Sequence, residues 1–84
     1  MSNESILSRI LQGSADSNIR FRDLEALLIT LGFSERIKGS HHIFTRPEVA
    51  EILNLQPLGS LAKAYQVKQV RKVIVQYKLT EGTE

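Results

Sequence analysis

The sequence contains no cysteine, so it can form neither a disulfide framework nor a thiolate metal site. Residues 1–13 lack the uninterrupted apolar run of a signal peptide, and no later segment is long and apolar enough to span a bilayer. The five glycines are scattered, so the chain has no glycine-rich phosphate loop. From these absences we expect a cytoplasmic protein with no cofactor and no membrane partner.

Acidic residues are absent from the long segment 52–80, which carries five basic side chains. Residues 1–35, by contrast, contain more acidic than basic residues. A nearly neutral protein with a basic C-terminal half favours a polyanionic partner. A solvated helix face is the alternative explanation for the same charges.

Three amphipathic segments predict helices. Apolar pairs recur four positions apart within residues 6–11, which indicates a short N-terminal helix. Apolar residues within 21–31 line one face of a second helix, and Gly32 provides a left-handed stop at its end. In the third helix, an apolar stripe within residues 67–77 leaves the basic side chains on the opposite face.

Three short strands are predicted between the second and third helices, at Phe33–Lys38, His41–Arg46 and Glu51–Gln56. Gly39-Ser40 is a two-residue connection with glycine first, which suits a tight antiparallel hairpin turn. A proline follows each of the last two strands and ends it, because proline cannot donate a ladder hydrogen bond.

The predicted fold is therefore α+β, with a three-stranded antiparallel sheet and helices packed on one of its faces. With 84 residues the chain forms a single domain, residues 1–84. Residues 1–19 are an N-terminal helical extension, and residues 20–80 contain the order helix, three strands, helix.

Both histidines lie at the start of the second predicted strand. Because neighbouring strand residues point to opposite faces, His41 and His42 cannot both act on one phosphate unless a bulge intervenes. His42 shares a face with Phe44, and His41 shares one with Ile43. If Phe44 faces the helices, His41 lies on the open face, which is the arrangement we favour. The reverse register would exchange the two roles.

RNA cleavage requires a group that takes a proton from a 2′-hydroxyl near neutral pH, and cations that stabilise the charge developing on the phosphate. The ordinary pKa of an imidazole suits the first role, and Lys38 or Arg46 would suit the second. The histidine pair is a poor zinc candidate, because its side chains diverge and no cysteine or acid lies at ligand spacing. Taken alone, a His-His pair is more often structural than catalytic.

The histidines belong to a longer pattern that resembles the HicA toxin family, also described as YcfA-like. The resemblance runs from about Phe21 to Leu79, so the N-terminal helix lies outside it. The residues that carry it are Leu31-Gly32-Phe33, Arg36-x-Lys38-Gly39-Ser40-His41-His42-Ile43-Phe44, Pro47 and Tyr65-Gln66-Val67-Lys68-Gln69-Val70-Arg71.

The resemblance implies a double-stranded-RNA-binding-domain-like fold of order α-β-β-β-α and an mRNA interferase, the endonuclease toxin of a toxin–antitoxin system. Such an enzyme cleaves mRNA without a metal, and a HicB-type antitoxin binds it and covers its histidine in the prokaryotic cytoplasm. The catalytic residue would be His41, with His42 as second choice, while Gly39 and Ser40 support the turn. The expected phosphate contacts are Lys38, Arg46, Lys68, Arg71 and Lys72.

The same fold also allows a function without catalysis. A non-catalytic RNA-binding module would use the same basic residues, and an inactive form that only binds an antitoxin would keep the same surface. We retain both as alternatives to the endonuclease.

Overall fold

A computed structural model of the protein describes residues 3–79. The order of elements is helix, helix, three strands, helix, and the strands form one antiparallel sheet, so the predicted α+β class is confirmed. A short 3-10 helix joins the first two α-helices. The elements are α1 (Asn3–Gln12), the 3-10 helix (Asp16–Asn18), α2 (Phe21–Thr30), β1 (Ser34–Lys38), β2 (His41–Arg46), β3 (Val49–Leu55) and α3 (Ala64–Tyr77).

The β1–β2 hairpin has the predicted two-residue connection. Gly39 has a φ of 63°, whereas Ser40 does not have a positive φ. Glycine in a positive-φ conformation followed by a residue at negative φ is what a type II′ hairpin turn requires. This turn sets the register so that Lys38 lies directly opposite His41.

The β2–β3 connection is shorter than predicted. The register of this pair shifts between Phe44 and Arg46, and Arg46 then pairs with Val49 across a tight turn. The extra residue of such an irregularity lets the strands pair up to the turn. As a result β3 begins at Val49 rather than at Glu51.

The third helix begins at Ala64, before the first residue of the apolar stripe that predicted it. The backbone N–H of Lys63 donates a hydrogen bond of 3.3 Å to Oε1 of Gln66, so the first turn of α3 is capped from within. Gln66 is only 1% exposed, and this bond satisfies its side-chain oxygen in a nearly dry position.

The core lies between the helices and one face of the sheet. On the covered face Phe44 is fully buried, and its neighbours on β3 are buried as well. The opposite face carries no helix, and most of its side chains are exposed. The buried residues that α2, the sheet and α3 contribute include Leu24, Leu27, Leu28, Phe44, Leu53, Leu55, Val67, Val70 and Ile74.

The N-terminal helix is an integral part of the domain. Ile6 and Ile10 of α1 are buried in the core. Arg71 of α3 makes two hydrogen bonds to the Asp16 carboxylate, of 2.9 and 3.1 Å, and one of 3.0 Å to the carbonyl oxygen of Ile10. This bidentate pair fastens the chain around the 3-10 helix to α3.

We expect Asp16→Asn to lower the free energy of unfolding by about 1.5–3 kcal/mol at neutral pH, because it removes the charge from a partly buried, charge-assisted pair. The pKa of the Asp16 carboxyl lies below its usual range, and the main cause is the hydrogen bond that it accepts from Arg71. A carboxyl with a lowered pKa stabilises the fold above its unfolded pKa, and that contribution is lost as the pH falls through the folded pKa.

Thermal unfolding measured at neutral and at acidic pH tests this expectation. The difference between wild type and Asp16→Asn should shrink as the solution becomes more acidic than the folded pKa of Asp16. Glu48→Gln is the matched control, because Glu48 is 74% exposed and its pair with Arg46 contributes little. A difference that stays the same at every pH would contradict the electrostatic explanation.

Within the described part of the chain, no helix combines the length and the apolar character that crossing a membrane requires.

Candidate functional site

The uncovered side of the sheet, which we call the open face, carries the candidate site. Strand alternation and the observed pairing place Arg36, Lys38, His41 and Asn54 on this face. No described residue of the open face is acidic. Its members are Ser34, Arg36, Lys38, His41, Ile43, Thr45, Ala50, Ile52 and Asn54.

His41 has the orientation that strand alternation predicts. Its side chain is exposed on the open face, while Phe44 is buried beneath the sheet. Nδ1 of His41 lies 3.0 Å from Oδ1 of Asn54 on the neighbouring strand. Because an amide oxygen only accepts hydrogen bonds, this contact favours the tautomer of the neutral imidazole that has its proton on Nδ1 and its lone pair on Nε2. The hydrogen bond at Nδ1 thus orients the ring, and Nε2 remains available as the basic nitrogen.

The hairpin turn next to His41 is tied to β3 as well. Nε2 of Gln56 donates a hydrogen bond of 2.8 Å to Oγ of Ser40. Gly39 has no atom close to the position that a Cβ would occupy, so its positive φ, and not a lack of space, requires glycine there. Gly39 and Ser40 therefore form the turn as predicted, and their use as backbone donors to a substrate stays a prediction.

His42 occupies a different environment on the covered face. Its Nδ1 lies 2.7 Å from Oε2 of Glu35 and 3.4 Å from Oε2 of Glu25. The Phe21 ring packs against the imidazole in a T-shaped arrangement, with 4.8 Å between ring centroids. The His42 side chain is 18% exposed. These contacts give His42 a structural position between α2 and the sheet.

The two carboxyl groups beside His42 influence each other. The hydrogen bond that protonated Glu25 donates to Glu35, together with burial and the charge of Glu35, raises the pKa of Glu25. Burial opposes ionisation of Glu35, but hydrogen bonds with Glu25 and His42 outweigh it and lower the pKa of Glu35. Glu25 therefore keeps its proton to higher pH, and Glu35 is the carboxylate that accepts from His42.

The prediction that no acidic residue lies close enough to the histidines to share a metal ion is wrong for His42. One ligand atom each from Glu25, Glu35 and His42 lies within 4.8 Å of the others. Carboxylate and imidazole ligands in such a group suit a divalent transition metal. Here, however, hydrogen bonds among the same atoms already satisfy them. We therefore assign this group to anchoring His42.

The predicted phosphate contacts do not form one surface. Lys38 lies on the open face beside His41, and Arg36, which was not among the predicted contacts, lies there too. Arg46 points to the covered face, where its Nε is 3.3 Å from Glu48. Lys68 and Lys72 are exposed on α3, on the side away from its buried stripe and hence from the sheet.

Arg71 requires a correction. Its guanidinium binds the Asp16 carboxylate and the Ile10 carbonyl oxygen, which uses three of its five N–H donors within the fold. The structure favours a role in fastening the N-terminal segment over the predicted phosphate contact. The sequence does not reveal this pair, because its members are 55 positions apart.

Asn54 is the site residue that sequence reasoning missed. It falls within the predicted third strand, but its contact with His41 depends on the register between β2 and β3, in which Ile43 pairs with Asn54. A polar residue between two buried leucines of a strand is the signal that places it on the open face.

Comparisons of this chain with protein-family models, with curated proteins and with solved structures found no match. The likeness to a double-stranded-RNA-binding domain and to the HicA family thus stays a prediction that depends on the motif residues.

Proposed function

We propose that this chain is a metal-independent RNA endonuclease of the HicA type, which cleaves mRNA through His41. The observation that carries the proposal is the setting of this imidazole. It is exposed on a face that holds two cations and no described carboxylate, and its Nδ1 is bound to Asn54. Nε2 has no partner among the described residues, so it is free to accept a proton.

The chemistry needs one proton acceptor and positive charge near the phosphate. Nε2 of His41 removes the proton of the 2′-hydroxyl as the 2′-oxygen forms a bond to phosphorus. The bond between phosphorus and the 5′-oxygen breaks, and the leaving oxygen takes a proton from water. The products carry a 2′,3′-cyclic phosphate and a 5′-hydroxyl. Lys38 and Arg36 stabilise the negative charge that builds up on the phosphate oxygens.

The proposal includes a protein partner, a HicB-type antitoxin in the cytoplasm of a prokaryotic cell. What supports a protein partner here is apolar surface beside the catalytic histidine. Ile52 is 62% exposed on the open face, and Ile43 is partly exposed there. A partner that buries these side chains would gain apolar contact area and would cover His41 at the same time.

The direct test incubates the purified full chain with an mRNA transcript in the presence of a chelator. The proposed reaction yields fragments that end in a 2′,3′-cyclic phosphate and begin with a 5′-hydroxyl. Intact transcript would overturn the endonuclease function. Cleavage that appears only after addition of a divalent metal would overturn the metal-independent mechanism.

RNA binding without cleavage is the second candidate function. The two cations of the open face support it, because they would contact phosphates whether or not the RNA is cleaved. For either function, the logarithm of the RNA association constant should fall as the logarithm of the salt concentration rises. We expect Lys38→Ala to make this negative slope shallower by roughly 1, because one phosphate contact is lost. Lys72→Ala, on the far side of α3, is the matched control and should leave the slope unchanged. Equal reductions in both variants would contradict an RNA surface confined to the open face.

A further inference from the structure

We infer that Asn54 is a positioning residue of the proposed endonuclease: it fixes the tautomer and the direction of the His41 ring. The inference rests on the proposed function of the open face. Asn54 acts through His41, so it shapes the reaction without touching the reacting atoms.

The packing of β3 holds Asn54 in a fixed position for this role. Its neighbours Leu53 and Leu55 are fully buried, which holds the backbone of β3 in place. Its backbone pairs with Ile43, so its side chain lies diagonally across from His41 on the same face. From there Oδ1 reaches Nδ1 at 3.0 Å.

The choice of an amide has a chemical reason. A neutral imidazole has one donor nitrogen and one acceptor nitrogen, and the partner of the first decides which is which. An amide oxygen that accepts from Nδ1 leaves Nε2 as the base. A carboxylate would orient the ring equally well, but it would place a negative charge beside an anionic substrate.

The other histidine shows the contrast within the same strand. His42 also uses Nδ1, but its partner is the carboxylate of Glu35 on the covered face. On that face the charged Glu35 strengthens the pairing of β1 with β2, and Glu25 and Phe21 of α2 contact the same imidazole. On the open face the partner is neutral, as a surface for a polyanion requires.

The first experiment needs no RNA. In nitrogen-15 NMR spectra of the wild type, the neutral form of His41 should be the Nδ1–H tautomer, and Asn54→Ala should convert much of it to the Nε2–H tautomer. An Nε2–H tautomer in the wild type, or spectra that do not change in the variant, would overturn the inference. Thr45→Val, on the same face, is the control and should leave the His41 signals unchanged.

The second experiment measures cleavage. We expect Asn54→Ala to reduce kcat by roughly 10- to 100-fold with little change in KM, because a misplaced base slows the chemical step much more than it weakens RNA binding. Asn54→Asp should recover part of kcat, raise KM, and move the lower limb of the pH–rate profile to higher pH. Unfolding midpoints of both variants should match the wild type, because the side chain is exposed.

The two experiments separate the inference from the function on which it rests. If the wild type cleaves RNA and Asn54→Ala cleaves equally fast, the positioning role is refuted while the endonuclease stands. If the wild type does not cleave, the endonuclease is refuted, and the NMR result still decides whether Asn54 sets the tautomer of His41.

Discussion

Replacing His41 with alanine should reduce the rate of RNA cleavage by about 10²- to 10⁴-fold and leave the fold intact. Positioned acid–base catalysis contributes a factor of this size to a rate. The side chain is exposed, and its removal creates no cavity in the core, so the unfolding midpoint should stay close to that of the wild type. Cleavage assays on the purified variant, with growth and mRNA integrity after induction in cells, measure the effect.

His42→Ala is the informative partner of this variant. It removes an imidazole one position away, but on the covered face, where Glu35 and Glu25 would lose their shared donor. We expect this variant to be less stable than the wild type. Its cleavage activity should fall only in proportion to the fraction of the protein that remains folded. If His42→Ala stays folded and inactive while His41→Ala cleaves RNA normally, the two roles are reversed.

Replacing Phe44 with alanine should have the largest effect on stability. Phe44 lies on the same strand as both histidines and is fully buried in the core. Removal of a buried phenylalanine ring costs about 3–5 kcal/mol, against a total of about 5–15 kcal/mol for a typical domain. At roughly 4–8 °C per kcal/mol, the unfolding midpoint should fall by at least about 12 °C. Thermal unfolding monitored by circular dichroism measures the change.

Thr45→Ala is the matched control for Phe44→Ala. Thr45 is the next residue of the strand and is exposed on the open face. Surface substitutions of this kind change stability by about 0.5 kcal/mol or less. Comparable losses in both variants would contradict the assignment of the two faces of β2.

Much of the architecture was predictable because it depends on short-range patterns. The apolar stripe that ends at Gly32 encodes α2, and Gly39-Ser40 encodes the hairpin turn. The error concerns a boundary. β3 begins earlier than predicted because of the register shift near Phe44, which has no periodic signal in the sequence. The hydrogen bond from the Lys63 N–H to Gln66, which caps α3, has no such signal either.

The candidate site was predictable in part. Strand alternation separated His41 from His42, and the structure confirms which face each one occupies. Charge and helical periodicity predicted that the basic residues of α3 are exposed, but these local patterns do not tell how the exposed faces of different elements lie relative to one another. In the structure Lys68 and Lys72 are on the side of α3 away from the sheet, so they do not join Lys38 on the open face.

Local sequence patterns are enough to predict the α+β class, the order of the elements and the opposite orientation of the two histidines. Helix and strand periodicities and turn chemistry act between near neighbours, so they can be read locally. The partners of the side chains depend on how the chain packs: Asn54 for His41, Glu35 for His42, and Asp16 for Arg71. These contacts join residues that are distant in the chain, and strand register and helix packing bring them together.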